Sequence, residues 1–124
     1  MKTLSRTVYP SDQQTILVSP DDTYGGAHEY QLEECLGFNN GKTEYQGTFQ
    51  KISFVKKLDD GTMVAGLQSE QLLIALIDRH KKLNERFPSR EGALAITKME
   101  EALQWLEARV RERTERGVMG DLKK

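Results

Sequence analysis

Apolar positions change their spacing halfway along the chain. In the first half they come in short runs closed by turn residues. "QQTILVSP" reads as a strand from Thr15 to Ser19 stopped by Pro20, and "DDTYGGA" as a loop around two adjacent glycines. "HEYQLEECLGF" alternates, with Tyr30, Leu32 and Leu36 on one side and Glu29, Gln31 and Glu33 on the other. The Asn40-Gly41 pair that follows is a hairpin signal, because both residues tolerate positive φ. "GTFQKISFVKKL" is the returning strand, with Ile52, Phe54 and Leu58 on one face; Asp59–Gly61 makes another turn, and "TMVAGL" a last short strand. These runs predict a small antiparallel meander.

From Ser69 onward the period is helical. Ser69 can cap a helix through "EQLLIALIDRHKKLNERF", whose apolar stripe reads Leu72, Leu76, Leu83 and Phe87, flanked by Leu73 and Ile77. "PSR" interrupts it, and Ser89 can cap a second helix to about Arg116, with Gly117 as its stop. Ile96, Met99, Leu103, Leu106 and Val110 are spaced 3, 4, 3 and 4, a seam for a neighbouring helix. So short a link forces the helices antiparallel. The expected fold class is α+β: a β-sheet region over residues 1–66, then a helical hairpin over 67–124, as one compact unit. Leu94 and Trp105 fall well over about 90° from the second helix's seam, and Ile74 lies opposite the first helix's stripe. Two uses are open for them: packing on the meander, or a subunit interface.

Composition narrows the classes. Of 124 residues, 37% are hydrophobic and 30% charged, a thin core that a partner chain can complete. The net charge of −1 lacks the broad basic excess of a duplex DNA binder. A helix-turn-helix reader is also disfavoured, because long helices with facing seams pack antiparallel rather than crossing steeply. The single Cys35 leaves no internal disulfide framework and fits a reducing cytosol. No apolar run approaches the roughly 18 residues that span a bilayer, and the start "MKTLSRTVYPSDQQ" has no hydrophobic signal core. A cytoplasmic protein is expected.

Chemistry concentrates in "EARVRERTERG", residues 107–117, with four arginines and three glutamates. Arg109, Arg113 and Arg116 share one helix face within about 60°, behind Ala95 and Ala102 on the same side, while Arg111 points away. Planar guanidinium groups beside small side chains suit bidentate contact with phosphate. Equally, Glu112 and Glu115 can satisfy the arginines, and cations near a helix C-terminus complement the macrodipole. Nothing resembles a catalytic set. His28 and His80 have no Cys or His at metal-ligand spacing; His80 reads as a core histidine, and His28, beside the Gly-Gly loop, as a side chain that can stack on a ligand. Cys35 has no activating partner, Glu33-Glu34 and Asp59-Asp60 are mere sequence neighbours, and "GFNNGK" precedes a strand rather than a helix. Binding is favoured over turnover, with no metal and no cofactor.

The combination of "GLQSEQL", "IDRHKKLN", "SREGALAITKMEEALQWL" and "RVRERTERGVMG" resembles the phage Thoeris anti-defence sponges of the first type, and its middle part is similar to the helical-hairpin domain shared with the phage anti-CBASS sponge. The likeness runs from about Leu36 to Gly120. It implies a non-enzymatic protein that sequesters cyclic ADP-ribose isomers made by bacterial TIR-domain enzymes. It also implies binding of cyclic di- or trinucleotides in separate pockets, and assembly as a homo-oligomer, dimer or hexamer, in the cytoplasm of the infected host. Carried onto this chain, Arg109 and Arg113, with Arg116 near, would read the pyrophosphate. Phe38, Asn40, Met63 and Gln68 would close the pocket, and Arg90 and Thr97 would contact a cyclic trinucleotide. The resemblance favours the phosphate use of the arginine face. The rival reading is an oligomeric protein-binding inhibitor that acts directly on a defence protein, with its arginines paired to glutamates.

Overall fold

A computed structural model of the chain describes residues 1–21, 24–115 and 117, apart from the side chain of Gln46. The architecture is α+β, as the spacing predicts. Strands β1 (Lys2–Thr3), β2 (Ile16–Val18), β3 (Glu29–Asn39), β4 (Lys42–Ser53), β5 (Lys56–Lys57) and β6 (Met63–Val64) precede helices α1 (Ser69–Arg86) and α2 (Arg90–Glu115). The chain divides into two compact units. One takes Met1–Lys56 with Val64–Gly66; the other takes Lys57–Met63 and the chain from Leu67 onward.

In the first unit, β1 to β4 form an antiparallel sheet in sequence order. The two-residue β1, too short to show alternation, escapes the sequence pattern. The long β3–β4 ribbon turns at Asn40-Gly41, both with positive φ (54° and 78°), and Asn39 pairs with Lys42 across a two-residue loop. That geometry matches the twist of the flanking strands. Strict alternation fails further back. The register gains two residues on β4 between Glu33 and Cys35 and one residue on β3 between Cys35 and Gly37. Leu36 therefore leaves the side of half-buried Tyr30 and Leu32 and stands 59% exposed. β2 pairs with β3 only from Tyr30 to Leu32, so the outer half of the ribbon has two strands alone. The core is small: Val18 is its buried aliphatic residue among those described, and Tyr30 meets Phe54 edge to face at 5.8 Å.

β5 and β6 pair as a short ribbon around the Asp59–Gly61 turn. There the Asp60 carboxylate accepts from the Thr62 N–H at 2.9 Å. Hydrogen bonding from the Thr62 side chain, and then from its backbone, holds Asp60 below the usual carboxylate range.

The second unit is an antiparallel helix pair. Ser69 is not its cap. Gln68 occupies the N-cap position with extended backbone, and the Gln71 side chain accepts from the Gln68 N–H at 2.8 Å. A glutamine three residues on closes this end as the reciprocal half of a capping box does. At α2 the expectation holds, since Ser89 Oγ accepts from the Gly92 N–H at 2.9 Å. Asn84 Oδ1 accepts from the Ser89 N–H at 3.0 Å and so ties the link to α1. Gly117, with φ of 71°, follows α2, and its N–H reaches the Thr114 carbonyl at 3.1 Å.

The α2 seam is as predicted: Ile96 is buried, and Met99, Leu103, Leu106 and Val110 are half-buried. The α1 stripe is not. Its inward line runs Leu73, Ile77, His80 and Asn84, with Ile77 buried, while Leu76, Leu83 and Phe87 are 43%, 41% and 69% exposed. The true stripe is rotated by about 80° from the expected one. The Lys81–Glu100 ion pair at 3.1 Å bridges the two helices. Among the described residues no helix is long and apolar enough to cross a membrane.

Candidate functional site

The arginine face lies on the part of α2 that outruns its partner. α2 has 26 residues and α1 has 18, so about eight residues, roughly 12 Å at 1.5 Å each, extend beyond the start of α1. Arg109 is exposed there and Arg113 half-buried, its stem lying toward the seam side near Val110 on the helix wheel. One turn apart on one face, their side chains stand as i,i+4 neighbours. The alanines behind them, Ala95 and Ala102, are both exposed and leave that flank low. Arg116 lies outside the described residues.

Whether glutamates answer these cations is a question of distance. Lys81, Lys82 and Lys98 all have carboxylates within 4.0 Å: Glu100 at 3.1 Å, Asp78 at 3.0 Å and Glu101 at 3.7 Å. Among the described residues neither Arg109 nor Arg113 has such a partner. Two guanidinium groups side by side without a counter-anion repel each other, and an oxyanion between them removes that repulsion.

The opposite flank of the hairpin has a different chemistry. A shallow groove of about 400 Å³ there has Ile74, Ile77 and Leu103 on its floor and Asp78, Glu100 and Glu107 on its rim beside Lys81. Ile74 thus borders the helix pair rather than lying opposite its inward line. The acidic rim does not suit a phosphate.

The remaining expected residues are dispersed. Met63, 54% exposed in β6, and Gln68, at the α1 N-cap, belong to the helical unit together with Arg109 and Arg113. Phe38, 74% exposed, and Asn40 sit at the far end of the β3–β4 ribbon in the sheet unit. His28 precedes β3, whose eleven residues separate it from Asn40 by roughly 30 Å. One chain therefore does not bring His28 and Asn40 into one pocket. The His28 ring is already engaged: its Nδ1 lies 2.7 Å from Asp21 Oδ2, and Tyr24 meets it edge-on at 4.8 Å. Sequence reasoning missed this cluster. Its signal was Asp21 three residues before Tyr24, whose N–H donates to Asp21 Oδ1 at 3.1 Å. Arg90 and Thr97, seven residues apart, share one exposed face at the start of α2, and the Thr97 hydroxyl donates to the Ala93 carbonyl at 3.1 Å. Among the described residues no cluster of three or more His, Cys, Asp or Glu side chains is placed to hold a metal ion.

A small antiparallel sheet followed by an antiparallel helical hairpin, with a cationic face near the end of its second helix, defines an α+β protein of the helical-hairpin class. The sequence profile of the Acb2/Tad1 hairpin domain matches residues 48–111, and the chain belongs to that family. Within it, "Thoeris anti-defense 1" of Bacillus phage SBSphiJ7 is 48% identical over 56 residues, 44% of this chain and 39% of that protein. The match thus spans well under half of the relative's length.

Proposed function

We propose that the protein is a phage anti-defence factor that sequesters a cyclic ADP-ribose-type signal without altering it, acting inside the infected cell. The observation that carries this reading is the pair Arg109 and Arg113, one turn apart on the α2 overhang, with no carboxylate within 4.0 Å among the described residues. A pyrophosphate offers each guanidinium two oxygens in the right plane. Family membership and the name of the Bacillus phage relative support the anti-defence role. Met63 and Gln68, in the same unit, are the next candidates to border the ligand, and the resemblance adds Phe38 and Asn40 of the sheet unit as candidate contacts.

Calorimetry with a cyclic ADP-ribose isomer tests the proposal. Charge-assisted hydrogen bonds contribute about 1.5–3 kcal/mol each, so Arg109→Ala or Arg113→Ala should weaken binding by roughly ten- to a hundredfold, and Glu at either position should abolish it. Unchanged affinity in folded variants would remove the phosphate role of this face. Mass spectrometry after long incubation and heat release separates sequestration from turnover: intact ligand is expected, and steady conversion to linear ADP-ribose would refute a sponge. A second reading, a protein-binding inhibitor, is favoured by Trp105, which is 72% exposed. In that case the arginine variants bind the nucleotide no worse than the wild type, while Trp105→Ala loses inhibition.

A further inference from the structure

Two turns place an amide or carboxyl side chain directly before a glycine: Asn40-Gly41 at the tip of the β3–β4 ribbon, and Asp60-Gly61 between β5 and β6. In such a pair the glycine nitrogen can close a five-membered ring on the side-chain carbonyl carbon before it, and glycine has no Cβ to obstruct the approach. The structure treats the two turns differently. At Asp60 both reacting groups are held: the Thr62 N–H donates to Asp60 Oδ1 at 2.9 Å, and the Gly61 N–H donates to the Leu58 carbonyl at 2.9 Å. Hydrogen bonds from the Thr62 side chain and backbone keep the Asp60 carboxyl ionised, and a carboxylate resists nucleophilic attack. At the ribbon tip these restraints are missing. Among the described residues neither the Asn40 side-chain amide nor the Gly41 N–H has a hydrogen-bond partner, whereas the amide of neighbouring Asn39 donates to Glu44 Oε1 at 2.9 Å. Asn40 and Gly41 are both exposed, and a Cβ at Gly41 would meet nothing within 4 Å, which leaves room for a ring and for water.

We infer that Asn40 is a site of spontaneous covalent modification, deamidating to aspartate and isoaspartate through a cyclic imide. The Gly41 nitrogen loses its proton to solvent base and bonds to Asn40 Cγ. The Cγ–Nδ2 bond breaks, and the amide group takes up a proton and leaves as ammonia. Water, the one co-reactant, then opens the ring. Opening at Cγ gives aspartate; opening at the backbone carbonyl leaves the chain running through Cβ and Cγ, which is isoaspartate. Ring closure requires the turn to open briefly, and the tip opens at little cost. β2 covers β3 only from Tyr30 to Leu32, and two register irregularities separate the tip from that three-stranded part.

The products do not fit the turn that made them. A two-residue loop with φ of 54° and 78° joins Asn39 to Lys42, and isoaspartate adds a backbone atom inside it. Either product adds a negative charge to a tip that already carries Glu44. Modification therefore loosens the end of the ribbon and gives the turn a finite lifetime. The chemistry involves no nucleotide, so its failure and the failure of the sponge reading are separate events.

The full chain, kept for days in warm, mildly alkaline buffer and then digested, should yield an Asn40 peptide about 1 Da heavier by mass spectrometry. Labelling with an isoaspartyl methyltransferase should identify isoaspartate in that peptide. Modification at Asn40 should exceed that at Asn39, at Asn84 (whose Oδ1 accepts from the Ser89 N–H) and at Asp60 by roughly tenfold or more. In urea the restraints on Asp60 are gone, and isoaspartate should appear there too. Asn40→Gln should remove the heavier peptide, because the six-membered ring closes far more slowly. An Asn40 that stays intact in the folded chain, modification at Asn39 or Asn84 at the same rate, or aspartate at position 40 without isoaspartate would overturn the inference. Isoaspartate forming at Asp60 in the folded chain as fast as at Asn40 would overturn it as well.

Discussion

Replacing Ile77 and its neighbour Leu76, one at a time, by alanine tests how the helix pair is held together. The two side chains have the same number of carbons and sit about 100° apart on α1, yet Ile77 is 8% exposed and Leu76 43%. Trimming isoleucine to alanine removes three carbons, about 2.4 kcal/mol of transfer free energy at 0.8 kcal/mol per methylene. A void left against the α2 seam raises the cost to about 3 kcal/mol, within the range seen for such truncations. For Leu76 nearly half of the surface is wet already and no closed void forms, so the cost is about 1 kcal/mol. The difference of about 2 kcal/mol is close to a thirtyfold ratio between the two unfolding constants. Urea denaturation of the full chain followed by far-UV circular dichroism reads the helical unit directly. Measuring at two protein concentrations isolates the part of each effect that arises within one chain. A Leu76→Ala cost equal to or above that of Ile77→Ala would return the packing stripe to Leu72, Leu76, Leu83 and Phe87 and refute the observed rotation of α1.

Two further outcomes follow from local geometry. Ser89→Ala removes the acceptor of the Gly92 N–H and should cost about 1 kcal/mol, whereas Ser89→Asp should keep the cap; thermal melts of both compare directly. A Cβ at Gly66 would fall 2.5 Å from the Val55 nitrogen and as close to the Phe54 carbonyl group. Those are backbone atoms that cannot swing aside, so Gly66→Ala should destabilise the sheet unit by about 1–3 kcal/mol, and an unchanged denaturation midpoint would show that this approach relaxes freely.

The features legible in the sequence are those decided within a few residues of themselves. The change of period near Ser69, the left-handed pair Asn40-Gly41, the Ser89 cap and the Gly117 stop each depend on local backbone preference, and each is where the sequence places it. The α2 seam was legible because one stripe alone on that helix is continuously apolar. α1 offers no such asymmetry: leucines and isoleucines occupy three of its sides, so propensity and hydrophobicity leave its rotation open. Only docking against α2 selects Ile77 over Leu76, because one angle alone fills the groove that Ile96 and Leu103 leave. In β3 the alternation was readable until Glu33, but a bulge is a compromise between two strands and has no signature in either one. The arginine face shows the same division. Helical spacing placed Arg109 and Arg113 side by side, yet Glu112 and Glu115 are near enough in sequence to neutralise them. Only the three-dimensional arrangement decides the matter: among the described residues no carboxylate comes within 4.0 Å of Arg109 or Arg113.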